Sequence, residues 1–375
     1  MEYRKMKHGE KVSLLGFGCM RFPTNPDGSI QEKEAEQLLD EAIRQGVTYI
    51  DTAYPYHNQM SEPFVGKVLS KYDRSSYVLA TKLPLWEIHS LSEAKEMFEN
   101  QLKRLKQEYV DFYLLHALDR KKWELVKELG IIPYLEAEQK AGRIKNLGFS
   151  FHDEYEVFEE ILTARDWDFC QMQLNYMDTE HQQGMKGYEL TVKMGVPVVI
   201  MEPNKGGALA NLPNDIASIF QAYHPDASMA SWAFRWIASL PHVKVVLSGM
   251  TKMEHVLDNL SVFETFQPLN QEELAVVEQV AQAIRSKTKN GCTGCEYCMP
   301  CPFGVNIPKN FSIWNTYAMY GNEVNAKNGV LALQKDGAFA NVCQKCGACE
   351  LKCPQHLAIR DDLMQVCNEL KKFGE

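Results

Sequence analysis

The chain has 375 residues, 45% of them hydrophobic, and a formal net charge of -9 at pH 7. This length exceeds one typical domain and supports a large buried core. The negative charge argues against general binding to nucleic acid or to anionic membrane surfaces. No apolar run approaches the roughly 20 residues needed to cross a bilayer, and the start, MEYRKMKHGEKVS, lacks a signal peptide's apolar segment. We therefore expect a cytoplasmic protein.

Residues 1–265 alternate between segments with strand character and segments with helical character. Amphipathic helical stretches occupy residues 31–46, 92–105 and 125–142. The strand segments end near Met20, Asp51, Lys82, His116, Phe149, Gln173, Met201 and Ser248. Strands that alternate with helices pair in parallel, and eight such units in about 250 residues predict a (β/α)8 TIM barrel. The runs YRKMK and KVSLL, joined through Gly9, predict a hairpin before the barrel.

A doubly wound dinucleotide-binding fold is the structural alternative. It requires G-x-G-x-x-G after its first strand. The nearest match has Gly16 and Gly18, with Arg21 where the last glycine belongs. The barrel is therefore the better interpretation.

Three successive strand segments end on polar side chains that can carry chemistry: Asp51, Lys82 and His116. Taken singly, each has a plain explanation, as a turn cap, a solvated strand end and a satisfied core histidine. In a barrel, however, catalytic groups gather at the C-terminal ends of the strands. Tyr56 follows Asp51 by five residues, in the next loop.

These four residues resemble the Asp, Tyr, Lys and His tetrad of the aldo-keto reductase superfamily. The resemblance spans residues 3–265 and is carried by GFGCM, DTAYPYHNQMSE, LATK, YLLH, GFS, QLNY, MEPNKGG and SGM followed by DNL. It implies an NAD(P)H-dependent reduction of an aldehyde or ketone. Tyr56 would donate the proton, Lys82 would lower the pKa of Tyr56, Asp51 would hold Lys82, and His116 would orient the carbonyl oxygen. Tyr54 is a rival proton donor, but only Tyr56 has the family's spacing.

The same resemblance implies a set of cofactor contacts. Ser150 and Gln173 would hold the nicotinamide carboxamide, Met201 stands where a stacking tyrosine is usual, and the remaining contacts would be Gly18, Met20, Asp51, Ser248, Gly249, Asp258 and Asn259. The family's basic residues for the 2'-phosphate correspond to Gly249 and His255, with Lys252 as a substitute. Without an arginine fork, NADH is at least as good a candidate as NADPH.

Two cysteine runs dominate the C-terminal part. Cys343, Cys346, Cys349 and Cys353, followed by Pro354, have the C-x2-C-x2-C-x3-C-P spacing of bacterial ferredoxins. The earlier run, Cys292, Cys295, Cys298 and Cys301, is one residue shorter before its last cysteine. Zinc sites are the alternative, but these usually show two separated C-x2-C pairs. We therefore predict two 4Fe-4S clusters.

In two-cluster ferredoxins the fourth cysteine of each run binds the other cluster. The ligand sets would then be Cys292, Cys295, Cys298 and Cys353 for one cluster, and Cys343, Cys346, Cys349 and Cys301 for the other. Cys19, Cys170 and Cys367 are interpreted as packing residues. Residues between the runs favour short helices, the first opened by Pro308. The predicted organisation is a barrel over residues 1–270, a helical linker over 271–287 and a mostly helical ferredoxin-like domain over 288–375.

Hydride carries two electrons and an iron-sulfur cluster passes one, so the two halves need an intermediary. A flavin would serve, although no flavin motif is recognisable. The favoured hypothesis is a carbonyl reductase whose clusters relay electrons to or from a ferredoxin-like partner or another cofactor. The alternatives are clusters that only stabilise the C-terminal domain, and an electron-transfer or interaction subunit with weakened nicotinamide binding. Loops at 117–124, 174–188 and 204–226 would set the substrate, with Trp86, Trp123 and Tyr176 either lining the pocket or packing.

Overall fold

The computed structural model describes residues 1–374, which form two compact units. The barrel unit comprises Met1–Gly206 and Ala230–Leu274. The second unit comprises Gly207–Met229 together with residues 275–374. The segment Gly207–Met229 lies between two barrel strands in sequence, yet it packs with the C-terminal part of the chain. No helix within residues 1–374 is long and apolar enough to span a membrane.

The barrel unit is a closed parallel barrel, which confirms the predicted fold. A hairpin of β1 (Tyr3–Lys5) and β2 (Lys11–Ser13) precedes it, with Arg4 opposite Val12. The barrel strands are β3 (Leu15–Gly18), β4 (Tyr49–Asp51), β5 (Val78–Leu83), β6 (Val110–Leu118), β7 (Ile144–Phe151), β8 (Phe169–Gln173), β9 (Val198–Met201) and β10 (Val243–Ser248). Each strand pairs with the next in sequence, and β10 pairs with β3 to close the barrel. All the predicted strand ends lie within two residues of the observed ones.

Helices alternate with these strands and cover the outside of the barrel. They are α1 (Glu32–Arg44), α2 (Ser61–Leu69), α3 (Leu91–Leu105), α4 (Arg120–Glu128), α5 (Ile131–Lys140), α6 (Tyr155–Thr163), α7 (Gly184–Met194), α9 (Met229–Ala238) and α10 (Met253–Glu264). In α1 the buried side chains Ala35, Leu38, Leu39 and Ala42 recur at helical spacing, so one face packs on the sheet.

The barrel interior is packed solid beneath its C-terminal end. Alternate residues of a strand point inward. Inward positions near the strand starts carry large rings, so Phe112 lies 5.0 Å from both Tyr49 and Phe169, centroid to centroid. Two residues further along β4 and β5 the same inward face carries Asp51 and Lys82. The apolar layer therefore forms a floor under the polar residues.

The second unit contains helices and, among its described residues, no strand. Its helices are α8 (Asn214–Tyr223), most of α11 (Gln271–Ser286), α12 (Ile307–Tyr320), α13 (Glu323–Lys335) and α14 (Ile359–Leu370). The Asn306 side chain accepts from the Lys309 N–H at 3.1 Å and caps α12, with Pro308 in the first turn as predicted. The predicted helical C-terminal region is thus confirmed.

Candidate active site and cluster-binding loops

Three neighbouring strands bring the predicted tetrad together. Asp51 ends β4, Lys82 lies near the end of β5, and His116 lies near the end of β6. The Lys82 ammonium donates to Asp51 Oδ1 at 2.6 Å and to the Thr52 carbonyl at 2.8 Å. Its side chain is 1% exposed. The ion pair that the resemblance implied is therefore present and buried.

Tyr56 lies in the loop between β4 and α2, with the Lys82 ammonium 5.1 Å from its ring centroid. Burial raises the pKa of Tyr56 above its ordinary value of 10, and Lys82 opposes that shift without overcoming it. The expected downward pull of Lys82 is thus present, but the net direction is upward. The phenol therefore keeps its proton at neutral pH, as a proton donor must.

His116 faces the same space. Its ring centroid lies 6.3 Å from that of Tyr56 and 4.9 Å from that of Trp86. Burial, followed by the nearby Lys82, holds the pKa of His116 well below its ordinary value of 6.5. The imidazole is therefore neutral, and its buried Nδ1 has no hydrogen-bond partner in residues 1–374.

A β-bulge and a hydroxyl fix the backbone after His116. The pairing of β6 with β7 shifts register between Leu115 and Leu118, and Ala117 has a φ of 53°. Ser150 Oγ accepts from the Ala117 N–H at 2.7 Å. Bulges next to active sites re-aim side chains. Ser150, predicted for the carboxamide, therefore also shapes the turn that carries His116.

One cavity of about 870 Å³, including its open mouth, contains most of the predicted site. The predicted residues that line it are Gly18, Met20, Asp51, Tyr56, His116, Ser150, Met201 and Gly249. Lys82 lies beneath it, bonded to Asp51. The lining residues that sequence reasoning missed are Arg21, His152, Gln171, Glu202 and Leu247.

Gln171 lines this cavity, whereas Gln173 does not. The Gln173 amide donates to Asp178 Oδ2 at 3.1 Å. Gln171 Nε2 lies 3.7 Å from the Met201 sulfur, and its buried Oε1 has no partner among the described residues. Both glutamines point to the same side of β8, but Gln171 lies one inward position deeper. A free amide oxygen on the cavity wall suits the N–H donors of a carboxamide.

The residues predicted for the adenosine end lie around the end of β10 and on α10. The Asn259 amide donates to Ser248 Oγ at 2.9 Å, and both side chains are buried. Asp258 is half-buried on α10. A Cβ at Gly249 would lie 2.9 Å from Arg21 Cδ, so the glycine makes room for the Arg21 stem. Ser248, Asp258 and Asn259 do not line the cavity described above.

Arg21 and Glu202 face each other at the cavity mouth, with Arg21 Nη2 3.8 Å from Glu202 Oε1. Both side chains remain substantially exposed. Of the aromatic candidates for the substrate pocket, Trp86 lies beside His116. Trp123 packs 6.4 Å from Trp167 and donates to Glu160, so it is a packing residue.

A buried network supports the loop that carries Tyr56. Glu62 is fully buried on α2; its Oε1 accepts from Thr81 Oγ1 at 2.7 Å and from Gln101 Nε2 at 2.8 Å, and its Oε2 accepts from Arg104 at 2.8 Å. Gln101 also donates to the Lys82 carbonyl at 2.9 Å, and Arg104 donates to the Gln59 carbonyl. One carboxylate thus connects the strand of Lys82 to the loop of Tyr56.

The first cysteine run meets one residue of the second. Cys292, Cys295, Cys298 and Cys353 line a cavity of about 320 Å³, together with apolar side chains including Ile307 and Phe311. Four thiols around an apolar space are the donor set that an iron-sulfur cube requires. The residues present therefore fit the group.

Three of the remaining cysteines pack against the hydrophobic core of the second unit, namely Cys301, Cys343 and Cys349. The fourth, Cys346, is exposed. The Lys345 N–H donates to Cys343 Sγ at 3.4 Å. Cys349 is close enough to Cys343 and to Cys298 for electrostatic interaction. Within residues 1–374 no three His, Cys, Asp or Glu side chains converge as they would around a single metal ion. A cube binds each thiolate through a separate iron, so its ligands stand further apart.

The three isolated cysteines are placed as packing residues. Cys19 and Cys170 are fully buried in the barrel unit, and Cys367 packs against the core of the second unit.

Comparison with known proteins places both parts of the chain. The profile of the Aldo/keto reductase family matches residues 14–282, and that of the 4Fe-4S dicluster domain matches residues 291–359. The uncharacterized oxidoreductase YqkF of Bacillus subtilis (strain 168) is 26% identical over 328 residues, covering 76% of this chain and 97% of its own.

Solved structures give the same picture. The holo form of the aldo-keto reductase AKR11C1 from Bacillus halodurans is 26% identical with a TM-score of 0.64, over 76% of this chain and 97% of its own. An aldo-keto reductase from Klebsiella pneumoniae in complex with NADPH has a TM-score of 0.60 at 21% identity, over 75% of this chain and 96% of its own, a likeness of fold.

Proposed function

The chain belongs to the aldo/keto reductase family and carries a 4Fe-4S dicluster domain, and we propose that it reduces an aldehyde or ketone with NADH or NADPH. Tyr56 is the proton donor. The observation that carries this proposal is the meeting of Tyr56, His116 and the buried Lys82–Asp51 pair at one cavity. The family's oxidoreductase chemistry is consistent with it.

The mechanism follows from the charges. A nicotinamide cofactor, when bound, supplies hydride to the carbonyl carbon. The carbonyl oxygen then gains negative charge and takes the Tyr56 proton. Lys82 stabilises the phenolate that remains, and Asp51 keeps Lys82 charged in a buried position. The neutral His116 donates an N–H to the carbonyl oxygen and orients it.

The cavity wall supports a carboxamide site made of Ser150 and Gln171. Ser150 Oγ accepts from Ala117, which leaves its own O–H free to donate, and Gln171 Oε1 is free to accept. In this proposal Gln171 takes the role that the motif gave to Gln173. Lys252 and His255, which the family resemblance sets against the 2'-phosphate, are exposed, and neither is an arginine. We expect weak discrimination between NADH and NADPH.

The second unit, by the same proposal, binds two 4Fe-4S clusters with crossed ligands, and these exchange single electrons when bound. The cavity shared by Cys353 and the first run supports the crossing. The division of the chain at the linker 271–287 is part of the proposal. The proposal also includes electron relay between the clusters and the barrel.

The test begins with anaerobic purification and measurement of iron, sulfide and flavin. NADH and NADPH oxidation is then followed with a panel of small aldehydes and ketones. Tyr56→Phe should lower kcat about 100-fold or more, because general acid catalysis is lost. Tyr54→Phe is the matched control: Tyr54 packs under Arg104, 5.1 Å from the guanidinium, and does not line the cavity. Activity that survives Tyr56→Phe but not Tyr54→Phe would contradict the assignment.

A second candidate is an electron-transfer or interaction subunit with weak nicotinamide affinity. Met201 favours it, because a methionine replaces the stacking ring and already contacts Gln171. Titration with NADH and NADPH distinguishes the two. Absence of binding to the cluster-loaded protein would support this candidate over the reductase.

A further inference from the structure

The turn that carries Tyr56 has an unfavourable backbone. The three residues that follow Tyr56, namely His57, Asn58 and Gln59, have φ values of 52°, 51° and 68°. This left-handed region is disfavoured for residues with a side chain, and Asn and His enter it more readily than Gln does. Gln59 is therefore the least suited of the three. Such a turn keeps its shape only where contacts from outside it hold it in place.

Arg104 on α3 supplies one such contact. A backbone carbonyl at the start of a helix is usually met by the N–H four residues further on. Four residues after Gln59 stands Pro63, which has no N–H to donate. The Gln59 carbonyl accepts instead from the Arg104 guanidinium. One side chain thus holds the residue of the turn that is least suited to its conformation.

Glu62 fixes where that guanidinium lies. Its carboxylate is fully buried, and its Oε2 accepts from Arg104 Nε at 2.8 Å. The planar guanidinium therefore spans two acceptors, the carboxylate and the Gln59 carbonyl, which its rigid set of donors permits. The two helices also touch, because a Cβ at Gly66 on α2 would lie 2.6 Å from the Leu105 carbonyl oxygen on α3. This close approach brings Arg104 against Glu62.

The other carboxylate oxygen of Glu62 is tied to the strand of Lys82. Oε1 accepts from Thr81 Oγ1 at 2.7 Å and from Gln101 Nε2 at 2.8 Å. Gln101 also donates to the Lys82 carbonyl at 2.9 Å. The side chains of Glu62, Thr81 and Gln101 are all fully buried, so water does not compete for these bonds. The turn of Tyr56 is therefore held relative to the strand that carries Lys82.

We propose that Glu62 and Arg104 are positioning residues for proton transfer: they hold the turn so that the Tyr56 hydroxyl meets the carbonyl oxygen of the substrate. The inference rests on the proposed role of Tyr56 as the proton donor. Neither Glu62 nor Arg104 lines the cavity, so both act through the turn. A shift of the hydroxyl by about 1 Å would slow the reaction by up to about 100-fold.

Glu62→Gln separates the two sides of the carboxylate. The amide oxygen can still accept from Thr81 and Gln101, whereas the amide NH2 faces the donor Arg104 and cannot bond it. With NADPH and a carbonyl that the wild-type chain reduces, we expect kcat to fall about 10- to 100-fold. KM for the carbonyl and Kd for NADPH should change by less than about 3-fold, because the cavity lining is intact.

Arg104→Lys is the second variant. It leaves a cation beside Glu62, which protects the fold if Glu62→Gln proves unstable. A single ammonium does not reproduce the planar set of donors that spans Glu62 and the Gln59 carbonyl. The same loss of kcat with little change in KM is therefore expected.

The matched control is Glu273→Gln, in a comparable ion pair of the same barrel unit. Glu273 pairs with Arg235 at 2.6 Å, and these side chains are 5% and 20% exposed, against 0% and 19% for Glu62 and Arg104. Arg235 also donates to a backbone carbonyl, that of Gln267, at 3.1 Å. Both glutamine variants should lower the urea midpoint, but Glu273→Gln should keep the wild-type kcat. A role of Glu62 in stability alone predicts that result for both.

Backbone hydrogen exchange followed by mass spectrometry gives a readout that needs no substrate. Peptides that cover residues 56–64 include the Ser61 N–H, which donates to the Tyr56 carbonyl at 3.2 Å and closes the turn. Glu62→Gln should speed exchange in these peptides about 10-fold or more, because the turn opens more often. Glu273→Gln should leave their exchange unchanged.

Either of two results would overturn the proposal. The first is unchanged exchange of residues 56–64 in both Glu62→Gln and Arg104→Lys. The second is an active wild-type chain in which Glu62→Gln and Glu273→Gln have the same kcat. A wild-type chain that reduces no carbonyl would instead contradict the proposed function, and hydrogen exchange alone would then decide whether Glu62 and Arg104 hold the turn.

Discussion

Replacing Asp51 by asparagine should abolish most carbonyl reduction while the barrel stays folded. The Lys82 ammonium is buried and has Asp51 Oδ1 at 2.6 Å and the Thr52 carbonyl at 2.8 Å as its acceptors. Burial opposes the charge on Lys82, but Asp51 and Tyr56 together outweigh it and raise the pKa of Lys82. Without the carboxylate, burial dominates, and Lys82 tends to release its proton.

The size of the losses in stability and activity follows from the loss of the Lys82–Asp51 ion pair. Removing one partner of a buried ion pair costs about 3–5 kcal/mol of stability. Because asparagine keeps one oxygen acceptor, we expect the free energy of unfolding to fall by about 3 kcal/mol, at the lower end of that range. Loss of the Lys82 charge removes stabilisation that the phenolate of Tyr56 needs only in the transition state. We expect kcat to fall about 100- to 1000-fold, with a small change in KM for the carbonyl.

The control is Asp111→Asn, in a second pair of the same barrel. Asp111 Oδ2 lies 2.6 Å from Arg74 Nη2 and accepts from the Leu79 N–H at 2.8 Å, away from the cavity lining. It should lower the urea midpoint without lowering kcat. Both variants are compared by steady-state kinetics and by urea unfolding followed by tryptophan fluorescence. A wild-type kcat in Asp51→Asn, or equal loss of kcat in Asp111→Asn, would refute the reasoning.

Three further outcomes are expected. Burial and Lys82 depress the pKa of His116 below 6.5, so the unfolded chain binds a proton that the folded chain does not as pH falls below 6.5. The urea midpoint should therefore drop between pH 7.5 and 5, and by less in His116→Gln. Gln171→Ala should weaken NADPH binding about 10-fold in a fluorescence titration, by loss of a hydrogen bond, while Gln173→Ala leaves it nearly unchanged. Cys353→Ser should remove the same cluster EPR signal as Cys295→Ser; loss of the other signal would contradict the crossed ligation.

The barrel and the tetrad could be predicted because their signals are local. Each buried strand is a short, mostly apolar run, and inward positions recur every second residue. Asp51, Lys82 and His116 lie at or near the ends of three successive strands, so parallel pairing alone brings them together. The cysteine spacing is local in the same way.

The choice between Gln171 and Gln173 could not be made from alternation. Both face inward on β8, and the sequence does not show how far along the strand the cavity begins. That depth depends on the ring layer formed by Phe112 and Phe169 and on the acceptor that Asp178 offers to Gln173. The first is a contact between distant parts of the chain, and the second depends on how the loop after β8 turns back on its own strand.

The sequence did not predict that Arg21 and Glu202 line the cavity, for a related reason. Each lies in a loop, after β3 and after β9, and neither belongs to a strand pattern. They meet because the barrel closes, which places the ends of β3 and β9 on the two sides of β10. The space for Arg21 also depends on Gly249, whose missing side chain is informative only once the loop positions are known.

The two proposed activities, hydride transfer in the barrel and electron transfer by the clusters, move different numbers of electrons. Hydride carries two electrons, and each cluster accepts one, so two clusters together could store what one nicotinamide gives up. A flavin is the cofactor that would split the pair. Adding NADH to the anaerobic oxidised protein therefore decides the relation: bleaching of cluster absorbance in flavin-free protein would couple the clusters to nicotinamide oxidation. Intact carbonyl reduction without bleaching would instead separate hydride transfer at Tyr56 from one-electron exchange at the clusters as two independent functions of one chain.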